Sequence, residues 1–267
     1  MTAGKKKLII FTIVPAIASV ALISAALGTN YWVISSPKSK KYTSSSNITN
    51  ANENSVNFGL FNGHKTLDFG NGPRVTNIKV ACVAAESVCA WLSDNDIKAS
   101  IYKSGDDLIY QLLQDHKNKT GELYEVGLFS YGMWISTIVM AALGIAFGLI
   151  SVGFAIFNAV GKPIETITGP MGLYLWNGMA FFFTFLAMVL YLALFFTTYK
   201  KNFLYLLDND AFKVEATTNL GYSFFLLVIA TVLYLINIII LFLSGYKLRC
   251  KFGSEAEKVV DNGIILF

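Results

Sequence analysis

The residues best suited to covalent chemistry are two cysteines in a long polar stretch of the chain. Cys82 and Cys89 lie close together, whereas the third cysteine, Cys250, is far away in sequence. In an oxidising compartment this arrangement predicts a Cys82–Cys89 disulfide with Cys250 reduced, and two free thiols are the alternative. Zinc is disfavoured because the two cysteines have no pair of histidines near them: His64 and His116 are far apart in sequence. We predict no metal and no cofactor.

Three further residues are candidates for covalent modification. Asn47 and Asn118 each begin an Asn-X-Ser/Thr sequon and are predicted to be glycosylated. Cys250 stands between Arg249 and Lys251, close to an apolar run, which is typical of a palmitoylation site. An unmodified cysteine is the alternative interpretation.

No catalytic motif is evident. His64 and His116 have Ser and Asp residues nearby, but the sequence contains no nucleophile elbow, HExxH pair or phosphate-binding loop. We therefore predict that the protein is not an enzyme and has no catalytic residues. The 21 Lys and Arg residues give a net charge of +4, but they form no basic, aromatic-interleaved stripe, which excludes nucleic acid as a partner.

Four long apolar runs must position these residues. The chain of 267 residues is 54% hydrophobic and only 14% charged, with a mean hydropathy of +0.54. Each run reaches the roughly 20 helical residues needed to cross a bilayer. The sequence predicts an all-α membrane protein: a four-helix transmembrane bundle with a small β-containing extracellular loop domain. A cleaved signal peptide is the alternative for the first run, but the run exceeds a typical h-region of about 7–15 residues.

Orientation follows from the flanking cations. Lysines and arginines precede the first run, lie between the second and third, and follow the fourth, so these segments are predicted to be cytoplasmic. We predict a plasma-membrane protein with both termini cytoplasmic. The predicted segments are a cytoplasmic N-terminus (1–7), helix 1 (8–31), a large extracellular loop (32–131), helix 2 (132–157), a cytoplasmic loop (158–169), helix 3 (170–198), a second extracellular loop (199–219), helix 4 (220–245) and a cytoplasmic tail (246–267).

The large loop carries weak signals of local structure. Residues 35–56 are rich in Ser, Asn, Thr and Lys, which predicts a flexible stretch. Short strands are expected at residues 58–61 and around the alternating Ile78, Val80 and Cys82. A helix is expected to carry Leu108 and Leu112.

The apolar runs contain no Asp, Glu, Lys, Arg or His, which disfavours a pump, a secondary transporter or a gated channel. Gly144 and Gly148 form a GxxxG spacing that allows close helix packing, within the bundle or between protomers of a homo-oligomer. Asn177 and Asn237 are expected to form hydrogen bonds between helices. An aromatic belt is predicted at the extracellular interface, formed by Tyr31, Trp32, Tyr131, Trp134 and Tyr199.

Several motifs resemble the clarins, a branch of the claudin and peripheral-myelin-type four-pass proteins. The densest group lies in residues 158–178, with Gly-Lys-Pro, Gly-Pro, Gly-Leu-Tyr and Trp-Asn-Gly segments. Gly-Thr at 28–29 with Trp32, Gly-Leu-Phe at 59–61 with Gly63, and the ending at 261–267, which is similar to that of the third clarin branch, agree with this resemblance. Claudins carry Trp where this chain has Phe61. The resemblance implies a four-span architecture and roles in sensory-cell membranes, synapses and cytoskeleton-linked adhesion.

The predicted function is that of a non-enzymatic membrane organiser. Its glycosylated loop and its tail would recruit other membrane, scaffold or cytoskeleton-linked proteins, and membrane lipids would surround its spans. Ile265 and Phe267 end the chain in a pattern that PDZ domains bind through the free carboxylate. The alternative is an auxiliary subunit of an ion channel or receptor.

Overall fold

A computed structural model describes residues 3–39, 54–99, 104–118, 122–160, 170–215 and 217–243. Four helices in this part of the chain are long and apolar enough to cross a membrane, as predicted, and their candidate spans are residues 10–28, 131–160, 172–199 and 222–243. The helices are α1 (Ala3–Gly28), α2 (Asp94–Ala99), α3 (Gly105–Asn118), α4 (Tyr131–Val160), α5 (Pro170–Leu194), α6 (Leu206–Ala211) and α7 (Tyr222–Leu243).

Helix α4 packs against its neighbours along a stripe of small residues. The stripe consists of Thr137, Ala141, Gly144, Gly148, Ser151, Ala155 and Asn158. Alternating spacings of four and three keep these residues on one face of the helix. A side chain at Gly144 would overlap Thr184 of α5, and one at Gly148 would overlap Tyr234 of α7. Both glycines of the GxxxG motif therefore lie at helix contacts within one chain.

The buried side-chain amides of Asn177 and Asn237 lie at contacts among α1, α5 and α7. The Nδ2 atom of Asn237 lies 3.3 Å from Oδ1 of Asn177, which joins α7 to α5. With its amide turned over, Asn237 instead donates to the carbonyl of Thr12 and accepts from the N–H of Ala16, each at 3.3 Å. Those two groups flank Pro15, which interrupts the hydrogen bonding of α1 because it has no N–H. Asn237 thus forms an interhelical hydrogen bond in either orientation.

The segments outside the spans form a large antiparallel sheet. The strands are β1 (Val33–Ser35), β2 (Lys38–Ser39), β3 (Ser55–Phe58), β4 (Asn62–Asp68), β5 (Pro73–Val83), β6 (Val88–Ser93), β7 (Leu128–Ser130), β8 (Phe212–Lys213) and β9 (Thr218–Leu220). Seven of them form one sheet in the order β7-β6-β5-β4-β3-β1-β9, and β2 pairs with β8. The prediction of an all-α protein with a small loop domain is therefore too narrow, because the sheet also takes a strand from the second loop.

Short connections attach this sheet to the bundle. Helix α1 leads into β1 within a few residues, β7 leads directly into α4, and β9 leads into α7. Helix α5 continues as a π-helical turn, Phe195–Tyr199, before the second loop begins. Because three spanning helices adjoin strands of one sheet, the sheet has little freedom to move relative to the bundle.

The predicted elements of the first loop are mostly present. The strand containing Cys82 and the helix containing Leu108 are confirmed as β5 and α3. The strand predicted across residues 58–61 is wrong beyond Phe58, because the chain turns there and the N–H of Gly59 donates to the carbonyl of Asn62 at 2.9 Å. A side chain at Gly59 would collide with the backbone of Thr29, so the turn requires glycine.

Candidate functional site

The non-spanning segments from both loops share one core. We use the name sheet domain for the seven-stranded sheet together with the β2–β8 pair, α2, α3 and α6. The Phe58 ring lies 4.6 Å from the Trp91 ring, 5.2 Å from Tyr199 and 4.9 Å from Phe203, measured between ring centroids. These residues come from two strands of the first loop, the end of α5 and the second loop. The two loops therefore fold as a single unit.

Trp32 occupies the corner where helix α1 meets the sheet. Its indole N–H donates to the carbonyl of Ala26 at 2.6 Å, and so it satisfies one of the carbonyls that a helix end leaves without a partner. The backbone N–H of Trp32 donates to the carbonyl of Phe58 at 2.9 Å, and the backbone carbonyl of Trp32 accepts from the N–H of Gly221 at 2.8 Å. The ring also packs edge-on against Tyr191 of α5 at 4.5 Å. One residue thus connects the first span, the sheet and the start of the fourth span.

This position corrects the aromatic-belt prediction. Trp32 is fully buried and Tyr199 is 1% exposed, so neither ring lies at the membrane surface. Tyr31 is 40% exposed and stacks on Tyr222 at 5.0 Å, as an interfacial residue would. Aromatic residues at span ends cannot be assigned to a belt from sequence alone, because a domain seated on the bundle covers some of them.

A buried ion cluster joins the two loops beneath the sheet. The Lys65 ammonium lies 2.6 Å from the Asp208 carboxylate and contacts both oxygens of Asp96 at 3.1 and 3.0 Å. The three side chains are 9–11% exposed. Asp96 also accepts hydrogen bonds from the backbone and hydroxyl of Ser93, both at 2.7 Å. Lys65 belongs to β4, Asp96 to α2 and Asp208 to α6, so the cluster ties three elements together.

The cluster carries one positive and two negative charges in a poorly solvated place. Burial raises the pKa of the Asp208 carboxyl, against the opposing influence of its ion pair and hydrogen bond with Lys65. Burial, and then the nearby carboxylates led by Asp96, also raise the pKa of Tyr205. The cavity beside Lys65 and Asp208 measures about 10 Å³, which is no more than a single water needs. The arrangement is therefore a structural link between the loops.

The ion cluster was not predicted, although the sequence contains one signal for it. Along β4 the buried positions alternate as Gly63, Lys65 and Leu67. A lysine on the buried face of a strand indicates nearby carboxylate partners, because burying an unpaired charge has a high cost in free energy. The identity of those partners could not be read from sequence, since Asp208 lies 143 residues away.

The predicted disulfide is present. Cys82 of β5 and Cys89 of β6 face each other directly across the hairpin, with their Cα atoms 4.1 Å apart. A short turn at Ala84–Glu86 connects the two strands, and Ser87 adopts the left-handed conformation. The bond therefore fixes the end of a hairpin that also holds Trp91 in the core.

Removing the disulfide should weaken the sheet domain moderately. Replacement of Cys82 and Cys89 together by serine is expected to lower the free energy of unfolding by about 2–3 kcal/mol, as the chain-entropy model gives for a loop this short. Chemical denaturation of the protein in nanodiscs measures this change. Cys250→Ser is the matched control and should leave the midpoint unchanged. Equal midpoints for the double variant and the unmodified protein would contradict the expectation.

The remaining site predictions, glycosylation at Asn118 among them, stay predictions. His64 is exposed on β4, and its Nδ1 atom lies 2.8 Å from Oδ1 of Asn77 on the neighbouring strand. Within the described ranges, no group of three or more His, Cys, Asp or Glu side chains is arranged to hold a metal ion. Asn118 is the last residue of α3. The glycosylation prediction at Asn47, the palmitoylation prediction at Cys250 and the PDZ-ligand prediction at Ile265 and Phe267 lie outside the described residues.

The hairpin between β4 and β5 presents an apolar surface on an ordered turn. The Asp68 carboxylate accepts from the N–H groups of Gly70 at 2.7 Å and Gly72 at 3.1 Å, and both glycines have positive φ. Val75 is 71% exposed and Phe69 is 54% exposed. Val75 lies on β5 just after the turn, and the Phe69 ring packs edge-on against Phe212 at 5.1 Å between ring centroids. Exposed apolar side chains beside a hydrogen-bonded turn are suited to contact another molecule.

Comparisons with known proteins agree with the motif resemblance. A family model described as Clarin-2-like matches residues 126–241, from the end of the first loop to the fourth span. Clarin-3 of Homo sapiens is 23% identical over 261 residues, covering 97% of this chain and 95% of the human protein. Clarin-3 of Rattus norvegicus is 35% identical over 94 residues, covering 35% of this chain and 42% of the rat protein. Clarin-3 of Mus musculus is 32% identical over 126 residues, covering 46% of this chain and 55% of the mouse protein.

The match to the human protein extends over all four spans and the sheet domain, and the shorter matches have higher identity. Together with the four apolar helices and the disulfide, these similarities define a four-pass membrane protein. The chain therefore resembles the clarins, both over residues 126–241 and along almost its whole length.

Proposed function

We propose that this protein is a clarin and that it acts as a non-enzymatic organiser of the plasma membrane, which recruits other membrane proteins through its sheet domain. In this proposal the sheet domain faces the cell exterior and both termini are cytoplasmic. The main support for this proposal is that both loops fold into one domain, and that the β4–β5 hairpin of this domain exposes apolar side chains. A rigid domain loses little conformational freedom on binding, which favours its use as a recognition surface.

The character of the spans supports an organiser over a transporter. None of the four candidate spans contains an Asp, Glu, Lys, Arg or His side chain. Proton relays and ion pathways normally depend on such groups within the membrane. The small-residue stripe of α4 is filled by side chains of the same chain, so the bundle interior is closely packed. These features suit a scaffold that holds the sheet domain in place.

The cytoplasmic tail supplies the second contact of the proposed organiser. Its ending, with Ile265 and Phe267, would add as a strand to a PDZ domain while its carboxylate is held by backbone N–H groups. Such a contact would connect the membrane protein to scaffold or cytoskeleton-linked proteins. Recovery of PDZ proteins should be lost when one residue is added after Phe267, because the carboxylate then moves out of reach.

Affinity capture from native membranes in mild detergent tests the role of the hairpin surface. Val75→Ser is expected to reduce recovery of the membrane partners at least severalfold, because the exposed valine lies at the centre of the proposed contact. Ile34→Ser is the matched control, since Ile34 is 41% exposed on β1, two strands away from β4 in the sheet. Unchanged recovery with Val75→Ser would contradict the proposed surface. Capture of a stoichiometric pore-forming protein would instead favour an auxiliary subunit of a channel.

A further inference from the structure

A concave site lies where the sheet domain meets helix α4. The concavity measures about 330 Å³ and is lined by Phe61, Asn62, Lys79, Val80 and Trp134. The Trp134 indole N–H donates to the carbonyl of Leu60 at 2.8 Å, and its ring packs edge-on against Phe61 at 6.4 Å. The aromatic wall is therefore fixed by a hydrogen bond, although Phe61 remains 45% exposed.

We expect the end of α4 that carries the site to lie at the level of the lipid headgroups. Helix α4 has 30 residues and is therefore about 45 Å long, whereas the hydrocarbon layer is roughly 30 Å thick. Trp134 lies in the first turn of this helix, at the end that adjoins the sheet. Tryptophan at a span end is typical of the interface between headgroups and acyl chains. The concavity consequently opens beside the membrane surface on the side of the sheet domain.

Lys79 is the one charged residue among those that line the site, and its charge is positive. Lys79 is exposed on β5, and its neighbours across the sheet are the uncharged Asn62 and Leu92. Among the ion pairs of the described residues, none involves Lys79. An unneutralised ammonium next to an amide and two aromatic rings is complementary to a phosphate that is attached to an apolar body.

We propose that this concavity binds a phospholipid of the leaflet next to the sheet domain, with the headgroup phosphate on Lys79 and the glycerol and upper acyl chains against Phe61 and Trp134. The ammonium of Lys79 and the amide of Asn62 donate to phosphate oxygens, and the rings exclude water from the upper chains. The bound lipid would stabilise the contact between the sheet and α4. This binding requires no protein partner. The lipid site can therefore be tested independently of the proposed recruitment of other proteins.

Native mass spectrometry of the full chain in detergent, titrated with dioleoylphosphatidylcholine, tests the site. Lys79→Gln is expected to weaken binding about tenfold, the loss expected when one charge-assisted hydrogen bond to the phosphate is removed. Phe61→Ala should weaken binding of the same lipid without changing the charge. Lys213→Gln is the matched control, because Lys213 is an exposed lysine on β8.

Dioleoylglycerol, which has the same acyl chains but no phosphate, should bind weakly and respond equally to the Lys79 and Lys213 changes. Free inorganic phosphate should not displace the phospholipid, because it lacks the apolar body. Equal binding of the two lipids by the unmodified protein would overturn the proposal, as would a Lys79→Gln variant that binds phosphatidylcholine as tightly as the Lys213→Gln control.

Discussion

Replacement of Lys65 by methionine is expected to lower the free energy of unfolding of the sheet domain by about 3–5 kcal/mol, the usual cost of removing one partner from a buried ion pair. Methionine fills a similar volume but leaves Asp96 and Asp208 facing each other without a cation. Because these carboxylates come from different loops, their repulsion should separate the loops. Thermal unfolding in nanodiscs, followed by near-ultraviolet circular dichroism of the buried aromatic rings, measures the loss.

Two variants determine whether the loss comes from the buried charge. Lys213→Met removes an exposed lysine from the same domain and should change stability by no more than about 0.5 kcal/mol. Asp208→Asn, introduced together with Lys65→Met, should restore part of the stability because it removes one uncompensated carboxylate. A Lys65→Met protein as stable as the Lys213→Met control would show that the cluster does not hold the loops together.

The loss should also depend on pH. Burial raises the pKa of Asp208 above its unfolded value of 3.8, and removal of Lys65 takes away the influences that lower it. A carboxyl whose pKa is higher in the folded state stabilises the fold in its protonated form, and this contribution is lost as pH rises through the folded pKa. The stability difference between Lys65→Met and the unmodified protein should therefore shrink as the pH is lowered from 7 toward the folded pKa of Asp208. A difference that grows on acidification would contradict this sign.

Replacement of Trp32 by alanine should cost about 3–5 kcal/mol, the usual range for deleting a fully buried tryptophan. The change removes the ring contact with Tyr191 and leaves the Ala26 carbonyl without the indole N–H. Trp32→Phe should cost less, because it keeps much of the ring volume and loses mainly the hydrogen bond, which is worth about 1–2 kcal/mol when buried. The same thermal unfolding experiment ranks these variants.

Tyr31→Ala is the matched control for the tryptophan, since Tyr31 is the adjacent residue and is 40% exposed. Its loss should cost about 1 kcal/mol or less, because mainly the stacking with Tyr222 disappears. If Trp32→Ala were no more destabilising than Tyr31→Ala, the corner between α1 and the sheet would not be the anchor that its contacts indicate.

The spans and the disulfide could be predicted because their signals are local. An uncharged apolar run of about 20 residues has few alternatives to a membrane helix, and two nearby cysteines in an oxidising compartment have one obvious partner each. The β9 strand could not be found in this way, because Thr218–Leu220 is too short to show a pattern and exists by pairing with Val33–Ser35 far away in sequence.

The ion cluster and the burial of Trp32 could not be predicted either, because both depend on contacts between segments that are distant in sequence. Lys65 alternates with apolar residues in β4, but only the packed structure brings Asp96 and Asp208 to it. Trp32 follows an apolar run and resembles an interfacial anchor until the sheet that covers it is known. Contacts between distant segments thus decide which side chains are buried, and a single sequence does not reveal them.

Hydrogen–deuterium exchange of the protein in nanodiscs tests most directly whether the two loops form one domain. We expect the backbone amides of β1, β3 and β9 to be protected to a similar extent. Lys65→Met should lower the protection of all three together, whereas Lys213→Met should not. Rapid exchange in β9 while β3 and β5 remain protected would contradict the account, because the second loop would then move independently of the sheet.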